Sequence, residues 1–247
     1  MIKKAAKTIG ALLAIHPLFF VSAADVVLRD VTVDYRHEYR TRDRNHYDKL
    51  TLATKLPDNF SFAVETKFKT GGTDTKDKYY YDPVLNAVEM TLAKKYTLGN
   101  WSISPLFQPE FNSTRTEWKF GVSPWYKVNE SWSVGGLYRL ELTDYAHDNA
   151  SCANCATNKH RTVNRVDGYI RYRWNDLSTT YKIIYMHGDE RLFAKKRYNY
   201  EQVLHFSYSL GEKREWNPYF SFGDIGRSSL SSERQLRLRA GIAYVFK

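Results

Sequence analysis

Almost every segment of this chain after residue 30 alternates with a period of two, the signature of a strand whose side chains point to opposite faces. Val31, Val33, Tyr35, His37 and Tyr39 interleave with Thr32, Asp34, Arg36, Glu38 and Arg40. Phe60, Phe62, Val64, Thr66 and Phe68 interleave with Ser61, Ala63, Glu65, Lys67 and Lys69. The closing segment repeats the pattern, with Leu236, Leu238, Ala240, Ile242, Tyr244 and Phe246 against Gln235, Arg237, Arg239, Gly241, Ala243 and Val245. No stretch after the leader sustains a 3.6-residue pattern, so the fold class is all-β.

Connection lengths narrow this further. Short polar turns are read at 57–59, 98–100, 129–130, 175–176 and 211–213. Between them lie hydrophilic stretches at 41–46, 71–82, 112–115, 144–162, 188–196 and 227–232. A strict alternation of short and long connections predicts a transmembrane antiparallel β-barrel of about 12 strands, with short periplasmic turns and longer extracellular loops. Tyr47, Trp101, Trp132, Trp174 and Trp216 fall near strand ends, where interfacial aromatic girdles sit. A secreted β-sandwich is the soluble rival, and it predicts shorter strands without alternating loop lengths.

The N-terminus addresses the compartment. Lys3, Lys4 and Lys7 precede an apolar run at 9–21, and Val21-Ser22-Ala23 offers small residues for cleavage. Residues 1–23 are read as a cleaved signal peptide and 24–247 as a single barrel domain. An N-terminal anchor is disfavoured because the run is short and carries His16-Pro17. A mean hydropathy of −0.57 excludes a helical membrane protein, and 43% apolar with 15% aromatic residues excludes a disordered one. The formal net charge of +10 keeps most of its excess once the leader's three lysines are gone. Outside the cytoplasm that excess points to acidic solutes, not to nucleic acid.

If the apolar series faces lipid, the opposite series lines the lumen. That series supplies Arg36, Lys67, Lys119, Arg139, Arg165, Arg171, Arg173, Lys182, Arg237 and Arg239 as candidate pore-lining residues, with Arg40, Lys55, Lys69, Lys95 and Lys127 on the same parity. Acids on that face are fewer: Asp34, Glu38, Glu65, Glu89, Glu110, Glu117, Glu141, Asp167 and Glu201. Cross-strand pairs that merely fill a barrel take up about half of these cations. Arg165, Arg171 and Arg173 against one Asp167, and Arg237 with Arg239, exceed what local pairing can absorb. The lumen is therefore read as basic and anion-selective, and guanidinium forks match carboxylates.

Two constellations carry other chemistry. Cys152 and Cys155 sit in the 144–162 stretch and are read as a local disulfide in an oxidising envelope. Zinc would need two more ligands, with His147 and His160 nearby, and a catalytic pair would need a thiol fold; no metal is assigned. His205 and Ser207 share a face, as a hydrolase would want, but on the lumenal side, where no lipid ester arrives. No catalytic residue is assigned.

Four segments resemble the oligogalacturonate-specific porin family, the KdgM-like outer-membrane channels. They are Val33-Asp34-Tyr35-Arg36-His37-Glu38-Tyr39, Asp167-Gly168-Tyr169-Ile170-Arg171-Tyr172-Arg173-Trp174, Asn217-Pro218-Tyr219-Phe220-Ser221-Phe222-Gly223-Asp224, and the final strand from Glu233 to Phe246. The resemblance implies a monomeric outer-membrane barrel of about twelve strands that passes acidic oligosaccharides without a cofactor. It also implies that Arg36, Arg171, Arg173, Arg237 and Arg239 form basic tracks, and the family includes sialic-acid channels. Surrounding partners would be outer-membrane lipid and lipopolysaccharide. Departures from the family pattern are Lys247 after the terminal phenylalanine, the longer lead-in before Val33, and the Cys152/Cys155 loop. A lipid hydrolase or a non-conducting adhesive barrel is the rival of a different class.

Overall fold

A computed structural model describes residues 29–70, 82–146 and 160–246. The leader, His147, Cys152, Cys155 and most of the 71–82 stretch lie outside the described residues.

The strands are β1 (Arg29–Arg40), β2 (Asn45–Lys55), β3 (Phe60–Thr70), β4 (Pro83–Lys94), β5 (Tyr96–Leu98), β6 (Trp101–Phe111), β7 (Arg115–Lys127), β8 (Trp132–Tyr145), β9 (His160–Trp174), β10 (Leu177–Gly188), β11 (Tyr198–Tyr208), β12 (Trp216–Gly226) and β13 (Arg234–Phe246). Successive strands pair antiparallel, and two long-range pairings close the ring. β1 meets β13 from Val31↔Phe246 to Arg40↔Arg237. β4 meets β6 directly, from Val88↔Phe111 to Ala93↔Leu106. The three residues of β5 continue the course of β4 past Lys95, so the barrel is a closed ring of 12 strands with β5 as an extra piece. Among the described residues each strand of the ring has a paired neighbour on both sides, which is the condition for a sheet surrounded by hydrocarbon.

The burial pattern is inverted relative to a soluble protein. Leu52, Ile170 and Phe246 on the outer face are 54%, 49% and 54% exposed. Asp167, Glu38 and Lys119 on the inner face are only 1%, 4% and 4% exposed. Apolar outside and charged inside is stable only with lipid on the outside and solvated partners within.

Every turn read from sequence joins the strands expected. Their tight geometry follows from the residue types: Asp58, Asn59, Gly99 and Asn175 take left-handed backbone angles. Asn129 Oδ1 accepts the backbone N–H groups of Ser131 and Trp132 at 2.9 and 2.8 Å, closing the β7–β8 turn. At this short-turn end, cross-strand Trp–Tyr pairs build a girdle: Trp101–Tyr126 at 4.8 Å, Trp132–Tyr172 at 4.7 Å and Trp216–Tyr244 at 4.5 Å.

Two expectations are corrected. Tyr47 is not in the girdle: it is the register partner of inward-facing Glu38, and the Arg40 guanidinium lies 4.4 Å over its ring. Nor do short and long connections alternate strictly. Between β6 and β7 only 112–114 intervene, where Asn112 Oδ1 accepts from the amides of Thr114 and Arg115 and makes a tight turn. An Asn in that position lets a polar stretch close as a turn instead of extending as a loop.

At the opposite end, the connections are tied together. Arg227 donates to Asp43 Oδ1 at 2.8 Å, and Gln235 Nε2 donates to Asp43 Oδ2 at 2.6 Å. The amides of Lys195 and Ala194 reach the carbonyls of Ser229 and Ser231 at 2.7 and 3.2 Å. The β1–β2, β10–β11 and β12–β13 connections are thus one hydrogen-bonded cluster. Beneath it Phe193 is buried against Gly226, where an added Cβ would lie 2.5 Å from its ring.

Candidate functional site

All ten candidate pore-lining residues project from the inner parity of their strands, and the structure sorts them by partner. In the half nearer the long connections, cations are held by acids. Glu89 on β4 and Glu110 on β6 are register partners. Lys119 Nζ lies 2.7 and 2.6 Å from their carboxylates, and Lys67 Nζ lies 3.2 and 2.9 Å from the same two. Arg139 pairs with Glu141 at 2.5 Å and also donates to Gln108 Oε1 at 2.9 Å.

Farther round the ring, Asp167 accepts from Arg165 at 2.7 Å, Lys182 at 2.8 Å and the Tyr169 hydroxyl at 2.9 Å. Arg239 and Arg40 share Glu38 at 2.7 and 2.9 Å. Arg237 reaches Glu201 at 3.3 Å.

The residue-by-residue outcome corrects the sequence reading of excess charge. Arg237 and Arg239 are not surplus, because Glu201 and Glu38 on other strands reach them. Counting acids along one strand misses partners that only register brings near. Arg165 is absorbed by Asp167, as its neighbour in sequence. Arg171 and Arg173 have no carboxylate partner among the described residues, and neither has Arg36, whose buried Nε lacks a hydrogen-bond partner. Lys95 and Lys127, both at the short-turn end, are likewise without an acid among the described residues.

Other inward groups were missed. Lys49 pairs with Glu65, and Arg161 lies 3.6 Å from Glu117. Parity already marked both, since Lys49 is in step with Thr51 against outward Leu50 and Leu52, and Arg161 is in step with Arg165. The inward aromatics Trp125, Tyr169 and Tyr219 were also missed, because an aromatic in a barrel strand is read as lipid-facing unless parity is followed. His205 and Ser207 do face the lumen, with the His205 ring 5.2 Å from Tyr219. Among the described residues no side-chain hydrogen bond joins His205 to a serine or an acid.

Of the cavities along the interior, three share residues in succession. One of about 420 Å³ lies among Arg36, Glu38, Lys67, Lys119, Arg165 and Arg239. A second of about 390 Å³ shares Arg36 and Arg239 with it, and adds Tyr169, Arg171, Lys182 and Tyr219. A third of about 480 Å³ shares Arg171 with the second and opens at the short-turn end among Trp125, Arg173, Lys95 and Lys127. Arg36 and Arg171 stand where one space passes into the next. Chemically the three cavities each present guanidinium and ammonium groups to the interior.

Comparison with known proteins places this arrangement. A family model described as oligogalacturonate-specific porin protein (KdgM) matches residues 23–246. A Salmonella typhimurium protein named Uncharacterized protein YiiY is 30% identical over 217 residues, spanning 87% of this chain and 90% of that protein. The oligogalacturonate-specific porin KdgM of Dickeya dadantii is 25% identical over 224 residues, spanning 87% and 92%. Among solved structures, a KdgM porin superposes with a TM-score of 0.64 at 21% identity, over 88% of this chain and 100% of that one. A NanC porin superposes at 0.70 and 16% identity, over 86% and 98%. The structural likeness establishes the twelve-stranded fold, and the match over nearly the whole chain establishes the family: the chain belongs to the KdgM porins and is an outer-membrane channel.

Proposed function

We propose that this porin passes acidic oligosaccharides by passive diffusion through an anion-selective lumen, with oligogalacturonates as the first solute class. One observation carries the reading: Arg36, Arg171 and Arg173 line successive cavities with no carboxylate in ion-pairing distance among the described residues. An anionic sugar is offered successive guanidinium forks that spend no binding capacity on the protein's own acids. The paired cations Lys67, Lys119, Arg139, Arg165, Lys182, Arg237 and Arg239 line the same path. They hold its shape and add to its field through the excess of basic over acidic groups.

The relatives support the solute class. One matched structure is described as a KdgM porin in complex with disordered oligogalacturonate. A smaller acidic sugar such as sialic acid fits the same chemistry and is the second solute. The channel does no covalent chemistry in this reading, needs no cofactor, and works as a monomer. Its apolar outer face is surrounded by outer-membrane lipid and lipopolysaccharide.

The test is a reversal-potential measurement on the folded barrel in a planar bilayer, followed by titration with trigalacturonate and with uncharged maltotriose. Anion selectivity with current block by the acidic sugar alone is expected. A cation-selective pore, or equal block by both sugars, would reject the reading.

A further inference from the structure

Paired and unpaired cations both occur along this channel, and at the short-turn end Lys55 is paired with Asp30 at 2.5 Å. At the short-turn end, periplasmic in an outer-membrane barrel, Lys95, Lys127, Arg171 and Arg173 surround one cavity of about 480 Å³, and Glu130 is the sole carboxylate among its lining residues. The same wall carries the hydroxyls of Ser102, Ser104, Ser131 and Ser133 and the amide of Asn100.

The position of Arg171 in this cavity is built, not incidental. Its guanidinium carbon lies 4.3 Å over the Trp125 ring. Trp125 lies flat because its register partner on β8 is Gly135, where an added Cβ would fall 2.4 Å from Trp125 Cδ2 and 2.7 Å from Cε2. On the far side of Gly135, Tyr169 stacks on the same indole at 5.2 Å and 28°. Tyr169 is in turn tied by its hydroxyl to Asp167 at 2.9 Å. A guanidinium stacked on an aromatic face is held by its plane, so its edge N–H groups remain available to a carboxylate. Among the described residues the one side-chain hydrogen bond of Arg171 is a long one, 3.4 Å from Nε to Thr180 Oγ1.

We propose that this vestibule is a binding site for one acidic pyranose unit at the exit end of the path, organised by the Trp125–Arg171 stack. The carboxylate engages the edge of Arg171 with Arg173 beside it, and the serines and Asn100 meet ring hydroxyls. Trp125 is a positioning residue: it touches Arg171, and Gly135 makes room for it. The inference rests on the acidic-sugar reading above and adds a location and a specificity device to it.

The experiment measures single-channel block of the full folded chain by trigalacturonate, with chloride-over-potassium selectivity recorded in the same bilayers. Trp125→Leu and Arg171→Lys keep the charge of the vestibule but remove the stack. Each should shorten the dwell time of the block about tenfold, and Trp125→Leu, which removes no charge, should do so with ion selectivity unchanged. Trp125→Phe keeps a ring and should retain most of the dwell time, which covers the case in which Trp125→Leu fails to assemble. An unchanged dwell time in Arg171→Lys, or in Trp125→Leu where it folds, would overturn the site while leaving the acidic-sugar reading in place. A wild-type channel that is neither anion-selective nor blocked would remove both.

Discussion

Glu89 and Glu110 face each other across neighbouring strands, and both carboxylates are held by the same two ammonium groups, Lys67 and Lys119. The four side chains make a nearly neutral girder inside the wall where β4 meets β6. This pairing closes the ring, so charge placement and barrel closure depend on each other. With Lys119 gone, two carboxylates would share one ammonium in a confined space.

Lys119→Met should therefore destabilise the barrel by roughly 3 kcal/mol, the scale of breaking a buried ion pair on one side. Lys119→Met combined with Glu110→Gln should recover part of the loss, because the stranded charge is removed as well. Thermal or urea unfolding, followed by the mobility difference between folded and unfolded barrel on a gel, measures both.

The unpaired arginines should control selectivity more than the paired ones. Arg171→Ser with Arg173→Ser should lower the anion-to-cation permeability ratio by about twofold or more. Arg237→Ser also removes a positive charge, but it frees Glu201 and so should cost stability in addition. Reversal potentials across a salt gradient separate the two cases, together with unfolding curves for each variant.

Tyr219 lies across Gly241 on β13 and donates its hydroxyl to Asp34 at 2.7 Å. A Cβ at Gly241 would fall 2.3 Å from Tyr219 Cζ and 2.6 Å from the Tyr35 carbonyl oxygen. Gly241→Val should then drive Tyr219 off the wall into the lumen, with a stability cost of about 1–3 kcal/mol from overpacking. Single-channel conductance should fall, whereas Tyr219→Phe should leave it close to wild type. Conductance with unfolding curves is the check.

Burial at the long-connection end raises the Asp43 pKa, but hydrogen bonds from Arg227 and Gln235 outweigh it and hold the carboxyl below the usual aspartate range. A depressed carboxyl pKa contributes stability that is present above the unfolded value and is lost as pH falls through the folded one. The tie between the β1–β2 turn and the β12–β13 connection should accordingly hold from neutral pH down through the ordinary carboxylate range and open only in stronger acid. Asp43→Asn should loosen it at neutral pH. Amide exchange at Thr41, whose N–H reaches the Leu236 carbonyl at 3.0 Å, reports the state of the tie.

Strand identity, turn positions and the face of each side chain were legible in the sequence, because all three are local. Alternation along Val31–Tyr39 or Leu236–Phe246 assigns inside and outside through the pleat alone, and Asn129 or Gly99 marks a turn by its own backbone chemistry. The candidate lumenal cations could be listed for the same reason, and following parity more strictly would have added Lys49 and Arg161 and moved Tyr47 inward. Which of those cations are neutralised was not legible. Arg239 and Glu38 are 201 positions apart and meet only because β13 closes on β1. The flat seat of Trp125 depends on a glycine in the next strand at its register, and the one-residue slip that brings Val134 opposite it would fill that seat with a side chain. Charge neutralisation and aromatic seating are properties of register and closure, which are set by pairing across the whole ring, and these only the tertiary structure decided.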